Sequence, residues 1–133
     1  MPTSSPDGPP MVTALVVDDE SDMRLLVRGY LDRAGLEVVG EAIDGLEAIE
    51  SLRRLKPPPV PTVIVLDNLM PSMSGLEVAA RVLECLPGQR IVLFSAHLSP
   101  EIERQAADLG ISACLAKTEI DHLAQVVADV AAA

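Results

Sequence analysis

Five residues in this chain, Asp18, Asp19, Asp67, Ser95 and Lys117, have the types and the placement to do chemistry together. Asp18, Asp19 and Glu20 follow the apolar run Ala14–Val17, and Asp67 ends a second such run, V-I-V-L-D. Ser95 ends a third, R-I-V-L-F-S, and Lys117 a fourth, A-C-L-A-K. Carboxylates crowded into one cleft cannot all stay ionised comfortably. A hard divalent cation resolves that conflict: Mg²⁺ takes a few carboxylate oxygens and keeps waters, which leaves room for phosphate oxygens. Lys117 offers a point positive charge to a phosphate oxygen, and the Ser95 hydroxyl can donate to another. With oxygens held this way, Asp67 can act as a nucleophile toward phosphorus, because phosphoryl transfer is mainly positioning and charge neutralisation. Charged residues also end strands simply because water begins there. That explains each residue singly, but not the matched set of acids, hydroxyl and ammonium.

For these residues to meet, the elements that carry them must deliver them to one edge. Strands are expected at Leu15–Asp18, Leu36–Ala42, Thr62–Leu66, Arg90–Ala96 and Ile111–Ala116. The third is apolar throughout, the pattern of a strand covered on both faces in a parallel sheet. Between them lie helical patterns. Met23, Leu26, Val27, Tyr30, Leu31 and Ala34 form one stripe, stopped by Gly35. Asp44 opens a second helix with Glu47 as capping-box partner and Leu46, Ile49 and Leu52 as its inner face. Ser74 and Glu77 form another capping box, ahead of Leu76, Ala79, Ala80, Leu83 and Leu86. Ser99-Pro100 starts a fourth helix that ends at Gly110. Thr118 and Asp121 can cap a fifth, with Ile120, Leu123, Val127 and Val130 inward. Lys56–Pro61 reads as a stiff extended connector.

Five strand–helix pairs in alternation, joined by right-handed crossovers, give a doubly wound α/β fold: a five-stranded parallel sheet between two layers of helices. In such sheets ligands sit outside the carboxyl ends of the strands. Asp18, Asp19, Asp67, Ser95 and Lys117 all fall at that edge.

The totals exclude several functions. The 133 residues make a single domain, expected over residues 12–131, behind a flexible tail at 1–11 rich in Pro and Ser. A formal net charge of −10 argues against gripping nucleic acid or an anionic membrane directly. No apolar run reaches the roughly 18 residues of a membrane span, and the N-terminus lacks the basic and apolar regions of a secretory signal. With one Phe, one Tyr and no Trp, the core must be aliphatic. Cys85 and Cys114 lie in apolar surroundings without metal spacing and read as buried, reduced thiols. His122 reads as a surface residue, His97 as solvated or as a modulator of the site, and Met23, Met70 and Met73 as packing.

With these motifs in view, the sequence resembles the receiver domain of two-component response regulators, a CheY-like, flavodoxin-like fold with strand order 2-1-3-4-5. The resemblance rests on Asp18-Asp19, on D-x-x-M-P-x-x-x-G (Asp67, Met70, Pro71, Gly75), on Ser95 before Ala96, and on Lys117. It covers about residues 12–131. The segment Glu37–Ile49 is similar to receivers of the LuxR/NarL type. The resemblance implies that Asp67 accepts phosphate from a phosphohistidine of a sensor histidine kinase or phosphotransfer protein. It implies Mg²⁺ held by Asp18, Asp19, Asp67 and the Leu69 backbone carbonyl, with Asp18 partly through water, and a phosphoryl group bound by Ser95 and Lys117. Glu20 would be a bystander. The output surface would be the fourth helix, fifth strand and fifth helix, about residues 100–129, acting on a downstream protein. Such a protein is a cytoplasmic phosphoprotein rather than an enzyme, a monomer or weak homodimer, without nucleic-acid or membrane contacts of its own.

Two positions depart from that family. Thr118 follows Lys117 where receivers commonly have Pro, so a trans bond is expected there. Cys114 stands where many receivers carry a switch aromatic. The Cys114 departure keeps open a phosphorylation-independent interaction module on the same fold. A phosphohydrolase with an Asp nucleophile is disfavoured, because N-L-M-P follows Asp67. The short remainder after the fifth helix is expected to make this a stand-alone receiver, the alternative being a piece of a longer DNA-binding regulator.

Overall fold

The structure, a computed structural model, describes residues 12–55 and 61–133; the tail expected at 1–11 and most of the Lys56–Pro61 connector lie outside the described residues. The strands are β1 (Thr13–Val17), β2 (Glu37–Ala42), β3 (Val63–Leu66), β4 (Arg90–Ser95) and β5 (Ala113–Ala116). The helices are α1 (Ser21–Arg33), α2 (Gly45–Arg54), α3 (Gly75–Cys85), α4 (Pro100–Leu109) and α5 (Leu123–Ala132). All strands are parallel, in the order β2-β1-β3-β4-β5. The expected fold class and strand order are those observed.

The period-two alternation of strand side chains sorts the core into two halves. Leu15, Val17, Ile64, Leu66, Ile91 and Leu93 point to one face and meet Ala48 of α2, Val78, Ala79 and Val82 of α3, and Ala106 of α4. Ala14, Val16, Val63, Val65, Val92, Phe94 and Leu115 point to the other and meet Val27 and Leu31 of α1 and Leu123, Val127 and Val130 of α5. The central strands are therefore sealed on both sides, which is why they read as unbroken apolar runs.

The caps form largely as their sequences dictate. Ser74 and Glu77 make a reciprocal capping box on α3. Asp44 accepts from the Glu47 amide, but the Glu47 carboxylate reaches the amide of Ile43 rather than that of Asp44. Ser99 accepts from the Ile102 amide, with Pro100 in the first turn and Gly110 closing α4 at φ +96°.

Several inner positions differ from the expected stripes. Leu46 is 65% exposed, and the buried face of α2 is Gly45, Ala48 and Ser51. The cause is close approach: a Cβ on Gly45 would lie 2.6 Å from Val78, so small residues must face inward and Leu46 is turned out. Leu26 is also exposed, because only a narrow strip of α1, centred on Val27 and Leu31, meets the sheet. On α3 the buried residues include Val78 and Val82, while Leu86 sits past the helix end and is exposed. Neither Thr118 nor Asp121 caps α5: a 3-10 turn over Lys117–His122 leads straight into it, with His122 at the junction and no side-chain cap. Cys85 is exposed rather than buried; both cysteines are free.

Candidate functional site

The register of the sheet assembles the site. Val17 pairs with Leu66 across β1 and β3, so Asp18 and Asp67 emerge side by side, one residue further on. The Asp67 amide donates to the Val17 carbonyl at 2.9 Å, and the Asp18 amide to the Ala42 carbonyl at 3.0 Å, so both acids remain tied to the ladder. Ser95 and Ala116 are partners across β4 and β5, which puts Lys117 at the same edge.

Asp18 is 2% exposed and Asp67 4%, whereas Asp19 faces solvent. One carboxylate oxygen from each of the three lies within 4.8 Å of the others. Lys117 is the counter-charge. Its Nζ is 2.8 Å from Asp18 Oδ2 and 3.4 Å from Asp67 Oδ1. Burial works to lower the Lys117 pKa, but the pairings with Asp18 and Asp67 outweigh it and hold the ammonium above the usual lysine value. For Asp67 the balance is the reverse. Burial and the adjacent Asp18 charge push its pKa from 3.8 up to about 6, against the opposing pull of Lys117 and of the Leu69 amide. One ammonium thus does not neutralise the pocket.

Glu20, expected as a bystander, has an exposed side chain beside the pocket. Its carboxylate lies 3.8 Å from Lys117 Nζ, and its amide donates to Asp18 Oδ1 at 2.9 Å. Ser95 is fully buried, and its hydroxyl accepts from the His97 amide at 3.3 Å; no hydrogen bond joins it to Asp67 or Lys117 among the described residues. Leu69, two residues after Asp67, is 54% exposed. His97 and His122 are exposed.

The loop after Asp67 is held by Asn68 and Gly75. The Gly75 amide donates to the Asn68 carbonyl at 2.9 Å, and the buried Asn68 Oδ1 accepts from the Leu76 amide at 3.1 Å. A Cβ on Gly75 would collide with the Asp67 carbonyl oxygen and come within 2.8 Å of Asn68 Cα. Glycine is therefore required eight residues after Asp67 so that α3 can start against the strand end. Between them, Ser72 takes φ +71° in the turn after Met70-Pro71, and Met70 and Met73 pack on the core.

The site is an acidic pocket with one lysine at the strand edge, and comparison with known proteins places the chain in a family. The model of the response regulator receiver domain matches residues 14–128. The chain belongs to the response regulator receiver domain family. The receiver is 35% identical over 82 residues to chemotaxis protein CheY of Thermotoga maritima, covering 62% of this chain and 65% of that protein. It is 32% identical over 108 residues to response regulator protein VraR of Staphylococcus saprophyticus, covering 80% of this chain and 50% of that protein. It thus spans less than two thirds of these relatives' lengths. Among solved structures, the signal receiver domain of the putative regulator NarL from Mycobacterium tuberculosis superposes with a TM-score of 0.80 at 36% identity, covering 93% of this chain and 98% of that one. The response regulator domain of Thermotoga maritima CheB gives 0.81 at 25% identity, with the same coverages.

The receiver's acidic pocket is compatible with Mg²⁺: three hard oxygen donors, two of them buried, exceed the one ammonium that faces them. Among the described residues no helix is long and apolar enough to cross a membrane. Asn68, Arg24 and Glu41 also belong to this neighbourhood and were not foreseen. Asn68 had a visible clue in its place next to Asp67; Arg24 and Glu41 had none, because their relation to Asp18 exists only in three dimensions.

Proposed function

We propose that this receiver is a phosphorylation-driven switch whose phosphoacceptor is Asp67. The observation that carries the reading is a buried carboxylate, pushed to a pKa of about 6, flanked by Asp18 and Asp19 and touched by Lys117. A carboxylate oxygen of Asp67 attacks the phosphorus of a phosphohistidine. The P–N bond breaks, its electron pair stays on the imidazole, which takes up a proton, and an acyl phosphate remains on Asp67. Asp18, Asp19 and Asp67, with the Leu69 carbonyl, would hold Mg²⁺, which when bound neutralises charge on the transferring phosphoryl oxygens. Lys117 pairs with one phosphoryl oxygen and the Ser95 hydroxyl donates to another. The chain is not an enzyme in this reading, but the acceptor in a reaction to which its own residues contribute. Its donor is a sensor histidine kinase or phosphotransfer protein in the cytoplasm, and its output is a protein partner at α4, β5 and α5.

The test is intact mass after incubation with acetyl phosphate, with and without Mg²⁺, beside Asp67→Ala. A Mg²⁺-dependent gain of one phosphoryl group in wild type alone is expected. No gain in folded wild type, from acetyl phosphate or from a phosphorylated histidine kinase domain, would overturn the reading. One observation favours a second reading, an interaction module that works without phosphate: β5 carries Cys114 where a switching ring would sit, a part-buried thiol whose pKa is raised by burial and by the Glu103 charge.

A further inference from the structure

The loop that carries Asp18 and Asp19 is gripped from outside the pocket. Arg24, in the second turn of α1, donates from Nη1 to the Asp18 carbonyl at 2.8 Å. From Nε it donates to Glu41 Oε1 at 3.0 Å, and Arg28 donates to Glu41 Oε2 at 3.0 Å. Glu41 is the β2 residue just before Ala42, whose carbonyl takes the Asp18 amide at 3.0 Å. The Arg24 side chain is only 16% exposed, so these bonds are partly shielded from water. Asp18 is therefore fixed at its amide by β2, at its carbonyl by Arg24, and at its carboxylate by Lys117 and the Glu20 amide. Of these, the carboxylate contacts compete with a cation for the same oxygens, whereas Arg24 holds the backbone carbonyl and leaves both carboxylate oxygens free of it.

We infer that Arg24, braced by Glu41, is a positioning residue that holds the 18–20 loop in its cation-ready conformation. This rests on the proposed Mg²⁺ site. Loss of the Arg24 charge and loss of its grip on the loop act on cation binding with opposite signs. Removing a guanidinium near an acidic pocket should by itself tighten cation binding. Releasing the loop should weaken it, because the site must then be ordered at the moment of binding.

The experiment compares wild type, Arg24→Gln and Arg24→Lys, all shown to be folded by circular dichroism. Amide hydrogen exchange is followed at Asp18 and Glu20, whose amides are hydrogen-bonded, in metal-free protein, and Mg²⁺ is titrated by calorimetry. Arg24→Gln is expected to exchange at least five-fold faster at those amides and to bind Mg²⁺ at least five-fold more weakly, with Lys recovering part of both. Unchanged or tighter Mg²⁺ binding in Arg24→Gln would overturn the inference. If wild type itself bound no Mg²⁺, the proposed function would fall, and exchange alone would then judge the grip: unchanged protection in Arg24→Gln would overturn it and faster exchange would sustain it.

Discussion

Asp67 should destabilise the very fold that places it, and replacing it with Asn should make the metal-free protein more stable. The folded-state pKa of about 6, against 3.8 for an ordinary aspartate, means the folded protein holds the Asp67 proton more tightly than the unfolded chain does. Stability from this group is fully present below pH 4 and is lost as the pH rises through 6. A displacement of roughly two pH units corresponds to about 3 kcal/mol by pH 7.5. Asn keeps the shape and an acceptor for the Leu69 amide, but carries no charge, and Lys117 retains Asp18 at 2.8 Å. Because Lys117 loses some attraction, a gain of about 1–3 kcal/mol is expected for Asp67→Asn at pH 7.5, roughly 3–10 °C in Tm. The gain should fall to about a third at pH 4.5, where the unfolded chain still ionises this aspartate, and approach zero only below about pH 4. Urea unfolding in EDTA, followed by far-ultraviolet circular dichroism because the chain has no Trp, measures it. Mg²⁺ should narrow the gap from the other side: at ten times its Kd it stabilises wild type by about 1.4 kcal/mol, and the Asn variant by less. An Asn variant no more stable than wild type at pH 7.5, or a gain that does not vary with pH, would refute the idea that this carboxylate is held against its own charge.

Other substitutions probe the rest of the pocket and its supports. Lys117→Met strips the counter-charge from two buried acids and should cost about 3 kcal/mol in EDTA, with part restored by Mg²⁺, as read from urea midpoints. Gly75→Ala should lose at least about 2 kcal/mol, because its Cβ meets the Asp67 carbonyl and strand and helix must separate; the same variant should take up less phosphoryl from acetyl phosphate. Leu46→Ala should change stability by less than about 0.5 kcal/mol, whereas Leu31→Ala, in the core against β1 and β3, should cost about 3 kcal/mol in the same unfolding assay.

The strands and the site were legible for one reason. A central parallel strand is apolar over its whole length, so the first polar residue after it marks both its end and the functional edge. That single rule located Asp18, Asp67, Ser95 and Lys117. The helix faces were harder to read because hydrophobicity is a poor guide where two elements touch closely. At the α2–α3 contact the buried residues are Gly45, Ala48 and Val78, and the bulkier Leu46 is expelled by lack of room. The start of α5 was misjudged, although β5 ends at Ala116 as expected. Cap-type residues at 118 and 121 promised a helix start, but the chain enters a 3-10 turn, interrupted at Glu119 with φ −107° and ψ 33°, before α5 begins. The Arg24–Glu41 pair joins residues 17 apart in sequence on different elements, and no local pattern announces it.

Lys117 shows how the proposed chemistry could reach the rest of the fold. It follows β5, the edge strand that pairs only with β4, yet its ammonium crosses to acids on β1 and β3. In metal-free protein that reach ties the free edge of the sheet to its middle. A phosphoryl group on Asp67 would replace the single carboxylate charge with close to two on its oxygens, a net gain of about one negative charge, at the longer of the two Lys117 contacts. On the proposed function, Lys117 then pairs with phosphoryl oxygen in place of Asp18, whose carboxylate serves the cation. A ligand shifts a conformational equilibrium only through contacts that differ between the states, and the exchange of Asp18 for phosphoryl is such a difference. Because Cys114 offers no ring to swing, the displacement of Lys117 has to travel through its own backbone. The segment next in line is the 3-10 turn Lys117–His122, which lacks a side-chain cap and carries the non-helical Glu119. That turn packs Ile120 on the core beside α5. The route from site to output surface is then backbone and turn rather than a side-chain rotamer.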